Sequence, residues 1–292
     1  MNFLIAGASG FIGSALIQSL KERGSVKSLG RRISGADQFR WDPQNGEVEK
    51  GAFQEVDVVI NLAGENVASG IWTKGKMARI KESRVGATRL IVETIATLKE
   101  RPNILINASA VGFYGNRGDE ELTEESVLGG GYFPDVCLAW ENEALKAESL
   151  GLRVVLLRFG IVLDRNGGAL PKMALPFRFC LGGLIGNGKQ YISWITLRDT
   201  IAAILFILEK KELSGAINIV SPHAVTNREL TTQLAKALHR PAIIPLPAFA
   251  ARIMFGRMAD EMLLSSTRAL PSKLLLYGFE FRDAEIKKAL GY

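Results

Sequence analysis

The sequence predicts an α/β fold: a doubly wound parallel sheet with a smaller, mostly helical C-terminal lobe on the substrate side. Three observations predict it. Short apolar runs alternate with segments of helical periodicity along most of the chain. Glycines cluster in the turn between the first strand and the first helix. The alternation breaks near Asp164, where Gly, Pro and aromatic residues take over. With 292 residues, 47% of them hydrophobic, the chain can bury a sizeable core.

Each element has its own reason. Asn2 to Ala6 is a short apolar run stopped at Gly7, the pattern of a buried strand. Phe11, Ile12, Ala15, Leu16 and Leu20 line one face of a helix from Phe11 to Arg23, ended by Gly24. Val26 to Leu29 returns as a strand, completing a βαβ unit. Val56–Leu62, Ile104–Ala108, Val154–Arg158 and Ala216–Val220 continue the strands. Arg84–Lys99, Trp140–Leu150 and Ile201–Glu209 continue the helices. Strands separated by such helices belong to a parallel sheet covered on both faces. The reading assigns 1–222 to the sheet domain, with a substrate-side insertion at about 165–190, and 223–292 to the C-terminal lobe, which opens with a helix over Thr226–Leu238.

Composition narrows the function classes. Net charge is +6, but the basic residues are dispersed. Their densest run, Lys74 to Arg84, is interrupted by Glu82 and suits a solvated helix face, so nucleic acid is not expected. The longest apolar run, Ile201 to Leu208, falls far short of the ~20 residues that span a bilayer. Cys137 and Cys180 have no metal-ligand spacing, and only two histidines exist, so no metal site is expected. Free thiols and the lack of a signal-peptide pattern point to a cytoplasmic protein with no membrane partner. An oligomer is compatible with the sequence, but nothing in it indicates one.

The first turn reads Gly7-Ala8-Ser9-Gly10-Phe11-Ile12-Gly13. Gly7 allows a tight exit from the strand, Gly10 close approach to a pyrophosphate, and Gly13 close packing of helix on sheet. The helix N-terminus adds N–H donors and positive potential. Turns and tight packing also select glycine; the strand before and the helix after this one make it a Rossmann-type dinucleotide site. The second strand ends in Gly30-Arg31-Arg32 with no acidic residue before Asp37. Arginine there suits the 2′-phosphate of NADP, whereas an acid would favour NAD. The cofactor expected is NADP(H), with Arg31 or Arg32 as its phosphate reader; a pair of ordinary surface arginines is the alternative.

With these residues in hand, the chain resembles the atypical extended short-chain dehydrogenases/reductases, in the epimerase family protein (SDR39U1-like) group. Besides the Gly7–Gly13 turn, the matching stretches include Trp41-Asp42-Pro43, Asn61 to Asn66, Ser83-Arg84-Val85 and Ser109 to Gly115. Arg158 to Leu163, Gly167 to Leu170, Ser193-Trp194-Ile195 and the tail from Arg240 to about Leu290 also match. The resemblance implies that Leu62, Ala63 and Gly64 line the adenosine and ribose, that Arg84 reaches the cofactor from the next helix, and that Val162 packs near the nicotinamide end. On composition alone, Leu62 and Val162 are core residues and Arg84 a solvated charge.

Short-chain dehydrogenases carry a Tyr followed four positions later by Lys, because a phenol of pKa near 10 is a poor base at neutral pH without a nearby cation. Here Tyr114, Tyr132, Tyr191 and Tyr277 are followed at that spacing by Gly118, Val136, Ile195 and Phe281, and Tyr292 is the last residue. Tyr132-Phe133 and Cys137 stand where the pair belongs. Ser109 matches the hydroxyl that orients a substrate carbonyl, and it equally suits a hydroxyl satisfied by backbone. Tyr114 is a candidate displaced proton donor or a packing residue; Glu65 is an acid or base if buried, otherwise a solvated charge. The function expected is NADP(H) binding with oxidoreductase or epimerase chemistry on an unidentified small molecule. The alternative is a non-catalytic NADP(H)-binding redox sensor or regulatory protein.

Overall fold

The computed structural model describes residues 1–33 and 35–291. Its first half runs β1 (Asn2–Ala6), α1 (Phe11–Lys21), β2 (Ser25–Gly30), β3 (Gln38–Asp42), β4 (Glu47–Val48), β5 (Val58–Asn61), α2 (Lys74–Ala96) and β6 (Ile104–Ala110). After β7 (Glu121–Leu122) and α3 (Tyr132–Leu145) come β8 (Arg153–Phe159), β9 (Ile161–Asp164), β10 (Gly167–Gly168) and α4 (Leu170–Arg178). Then follow β11 (Tyr191–Ile192), β12 (Trp194–Thr196), α5 (Leu197–Glu209), β13 (Gly215–Ile219), β14 (Val225–Thr226) and α6 (Asn227–Leu238). The chain finishes with α7 (Ala248–Phe255), β15 (Arg268–Ala269), α8 (Ser272–Leu276) and α9 (Ile286–Leu290).

Eight strands form the central sheet in the order β13-β8-β6-β5-β1-β2-β3-β4, parallel but for the last pair. This is the doubly wound, Rossmann-type arrangement. Strand alternation sends Phe3 and Ile5 to one face, against Leu16 and Leu20 of α1 and Ile204 and Ile207 of α5. Leu4 and Ala6 point the other way, against Ile91 and Ile95 of α2 and Ala144 of α3. Both faces being covered, the central strands β1, β5 and β8 read as near-continuous apolar runs, and each large side chain so buried contributes about 1.5–3 kcal/mol. From β1 the chain moves first to β2 and then back across to β5. That reversal opens a crevice at the strands' carboxyl ends, the usual ligand position in such sheets.

Two helices are longer at their N-termini than periodicity indicates. α2 starts at Lys74, not Arg84: Thr73 Oγ1 accepts from the Lys76 amide, and Met77 and Ile80 bury against Trp72 and Phe133. α3 starts at Tyr132, not Trp140, because Glu261 caps it from far along the chain, accepting from the Tyr132 and Phe133 amides at 3.1 Å each. No local pattern announces such a cap. Strand β3, between β2 and the edge strand β4, also lies outside the sequence reading; its Trp41 is buried in the core. Residues 223–291 are stitched to the sheet domain, β15 pairing with β7 and β14 with β11. No helix among the described residues is long and apolar enough to cross a membrane, and none of their His, Cys, Asp and Glu side chains form a group suited to a metal ion.

Candidate cofactor and active site

The Gly7–Gly13 turn sits at the crevice. Gly7 has φ +83°, and a Cβ there would lie 2.7 Å from the Leu62 carbonyl oxygen. Glycine therefore lets Leu62 and Ala63, leaving β5, pass against the turn. At Gly13 a Cβ would fall 2.3 Å from the Gly7 oxygen, so that glycine is what allows α1 to begin this close to the strand. The Gly10 amide donates back to Gly7 O at 3.0 Å, and the first turn of α1 follows with Ser9 and Gly10 exposed and Phe11 and Ile12 half-buried. The residues fit a dinucleotide: a cradle a Cβ would fill, with helix N–H donors facing it.

Arg31 and Arg32 follow β2, both exposed, and make no ion pair among the described residues. Ala8, Ile12, Leu62 and Val162 are half-buried, each packed against the core that β1 shares with α1 and α5. Val162 lies under Gly168, whose Cβ would meet both the Val162 oxygen and the Phe11 ring. The hairpin β9–β10 thereby bears on the phosphate turn. Arg84 is half-buried beside Gly64. It donates through Nη1 to the Glu65 and Ile80 carbonyls, both at 3.1 Å, and lies over the Trp140 ring at 5.3 Å from the centroid. Burial holds its pKa below the ordinary guanidinium value.

On the other side of the crevice two of the expected catalytic groups, Ser109 and Tyr114, belong to one closed network. Ser109 is buried at the end of β6 and donates to Glu141 Oε1 at 2.6 Å. Glu141 is gripped by Arg158, Nε to Oε1 at 2.9 Å and Nη2 to Oε2 at 2.8 Å. Arg158 Nη1 donates to the Tyr114 hydroxyl at 3.0 Å, and that hydroxyl donates to Asn218 Oδ1 at 2.7 Å. Burial works against the Arg158 charge, but the Glu141 carboxylate more than offsets it and holds its pKa above the ordinary value. Asn218 Nδ2 reaches the Leu270 carbonyl at 2.9 Å, carrying the network into the C-terminal lobe.

Tyr114 is wholly buried with its phenol bonded on both sides, and burial raises its pKa. That is opposite to what a proton-exchanging phenol needs, and it suits a tie between strands. Glu65 also differs from a general acid. Lys76 holds it at 2.6 Å with Arg79 at 3.5 Å, and the Lys76 hydrogen bond, leading over other causes, lowers its pKa. Cys137 is buried, its thiol pushed up to about 12 by burial, and behaves as a small apolar group. Glu141, Arg158 and Asn218 escaped the sequence reading as a unit. One signal existed: Arg158 closes the apolar run Val154–Leu157, and a charge in a buried strand needs a partner.

Residues 3–220 match the NAD dependent epimerase/dehydratase family. The chain belongs to that family. Residues 246–292 match a domain of unknown function, DUF1731. Epimerase family protein ML0860 of Mycobacterium leprae is 39% identical over 290 residues, 99% of this chain and 94% of the relative. Epimerase family protein SDR39U1 of Bos taurus is 35% identical over 295 residues, covering 99% and 98% of the two chains. Among solved structures, human SDR39U1 (isoform 2) with NADPH superposes at a TM-score of 0.88 and 31% identity, covering 99% of this chain and 98% of that one.

Proposed function

We propose that this family member binds NADP(H) in the crevice between β1, β2 and β5 and uses it in oxidoreductase or epimerase chemistry on a small molecule. One observation carries the cofactor choice: exposed Arg31 and Arg32 at the end of β2, beside the phosphate turn and without an ion-pair partner among the described residues. The human relative solved with NADPH supports it. The α1 N-terminus at Ser9–Ile12 holds the pyrophosphate, Gly7, Gly10 and Gly13 make room for it, and Arg31 or Arg32 reads the 2′-phosphate. Leu62, Ala63 and Gly64 line the ribose side, Arg84 lines the crevice from α2, and Val162 packs toward the nicotinamide end. When bound, the cofactor supplies hydride transfer.

The chain's own contribution centres on Ser109. A hydroxyl that gives its one proton to Glu141 has only lone pairs to offer elsewhere. In this state Ser109 suits a substrate hydroxyl as donor better than a carbonyl as acceptor, with Glu141 and Arg158 fixing its rotamer. Tyr114 and Glu65 act by position, tying strands and anchoring cations, rather than by exchanging protons. The closed state of both Ser109 and Tyr114 also favours a second reading, a non-catalytic NADP(H)-binding redox sensor or regulatory protein. A cytoplasmic setting fits the two free cysteines.

Fluorescence titration with NADPH and NADH tests the cofactor: binding confined to NADPH supports it, and equal or absent binding of both overturns it. Ser109→Ala then separates the two readings. In an enzyme it lowers turnover of an alcohol and carbonyl panel while NADPH binding survives; unchanged turnover removes Ser109 from the chemistry.

A further inference from the structure

Positive charge and exposed apolar side chains meet on one face of the C-terminal lobe. The sequence carries no Asp or Glu between Asp164 and Asp199, nor between Glu229 and Asp260. These two stretches hold nine Lys and Arg, more than the net charge of +6, so the rest of the chain is net negative. The fold brings the stretches together. Ala174 and Phe177 of α4 share a core with Leu230 and Leu234 of α6. Beyond them the Ile244 amide donates to the Gly182 carbonyl at 3.1 Å, and the Leu246 amide to that of Leu184 at 2.7 Å. Phe179 and Leu181 are exposed just after α4, and Ile243 and Ile244 on the segment bonded to Gly182. α7 follows directly; only its Ala251 is buried, while Phe249 and Ile253 face solvent one turn apart.

Single exposed apolar residues are ordinary, but six on one face mark an interaction site. Ile243 and Ile253 are 75% and 79% exposed, so they project from the surface instead of lining a groove. On the same stretches stand Arg178, Lys236, Arg240 and Arg257, exposed and without an ion pair among the described residues. The two carboxylates that follow the second stretch are engaged: Asp260 holds Arg252 at 2.9 Å, and Glu261 caps α3. A second copy of the chain would set these cations against themselves. A bilayer rich in anionic lipid meets both features, its acyl boundary taking the projecting side chains and its phosphates the cations. We infer that this face docks on the surface of an anionic phospholipid bilayer, with α7 in the headgroup plane and Phe249 and Ile253 inserted. Such docking needs an apolar face and cations, not the length of a span.

The test is co-sedimentation of the full chain with vesicles of phosphatidylcholine alone and of phosphatidylcholine mixed with phosphatidylglycerol. Binding to the mixed vesicles, weakened by salt, and little binding to the neutral ones are expected. Phe249→Ser with Ile253→Ser, and separately Arg178→Glu with Arg240→Glu, should each weaken it at least about tenfold. All four side chains are exposed, so the variants keep the fold, which thermal melts check. Lys21→Glu with Lys211→Glu changes the net charge equally but lies outside both stretches, and it should leave most of the binding intact. Equal weakening by the two charge reversals means that the basic chain adsorbs without a preferred face, and overturns the inference. Absent binding to the mixed vesicles, equal binding to the neutral ones, or binding unchanged by the serine pair overturns it too. Sedimentation velocity without lipid examines the other occupant: self-association abolished by the serine pair makes this face a contact between copies and overturns the inference as well.

Discussion

The two halves of the sheet's carboxyl edge are built on opposite rules. At β1, β2 and β5 the backbone comes close, glycines leave a cradle, and Arg31 and Arg32 stand in solvent. At β6, β8 and β13 the polar groups are buried and bonded to one another from Ser109 through Glu141, Arg158 and Tyr114 to Asn218. The first half leaves donors and charges for a ligand to satisfy. The second satisfies its own and spends them on joining the sheet to the C-terminal lobe. An arginine buried against a glutamate gains little net stability from the pair, but either alone is severely penalised, so such a network holds a geometry more than it adds free energy.

Breaking the closed half has the largest expected effect. Glu141→Gln leaves Arg158 buried without its counter-charge, and denaturant unfolding should show a loss of about 3–5 kcal/mol. Little change there would mean that water reaches the network. In the open half, replacing Arg31 and Arg32 by Ala should cost NADPH affinity roughly tenfold to over a hundredfold, about 1.5–3 kcal/mol, and leave stability and NADH affinity alone. Gly13→Ala sharpens the contrast by acting on the cradle instead of the charge. Its Cβ would meet the Gly7 oxygen, and about 1–3 kcal/mol of crowding should weaken any dinucleotide that binds, with or without a 2′-phosphate.

The smallest effect concerns pH. Glu124 is buried and accepts from the Asn218 amide at 3.0 Å through Oε1, while Oε2 has no hydrogen-bond partner among the described residues. Desolvation raises its pKa above the ordinary 4.5. A raised carboxyl binds its proton more tightly in the folded state, so its favourable contribution is full below 4.5 and is lost as pH rises through the folded value. Glu124→Gln should therefore be more stable than the parent near neutral pH, with the difference shrinking toward pH 4.5 in thermal melts. A difference that grows on acidification would reverse the sign assigned to this carboxyl.

The sheet and the cofactor half were legible because their determinants are local. A buried strand announces itself in Asn2–Ala6, a phosphate turn in Gly7–Gly13, and a helix in the spacing of Phe11, Leu16 and Leu20. Ser109, Arg84 and Leu62 stand out only through the family resemblance; local pattern alone reads Leu62 as core and Arg84 as a solvated charge. Nor did local pattern reach β3, whose alternation is short, or the true start of α3, whose cap comes from Glu261.

By itself, then, the sequence determined the α/β sheet, the dinucleotide turn, the arginines at the end of β2 and the absence of a Tyr and Lys pair, all of which depend on residues within a few positions of one another. The tertiary structure alone decided what the polar residues do. Glu141 and Arg158 are 17 positions apart, Tyr114 and Asn218 are 104, and each bond forms only because parallel strands bring distant segments side by side. Whether a carboxylate is a base or an anchor depends on the cations and the water around it, and the fold sets both. It closed Ser109 and Tyr114 into the protein and set Arg84 against backbone carbonyls and the Trp140 ring.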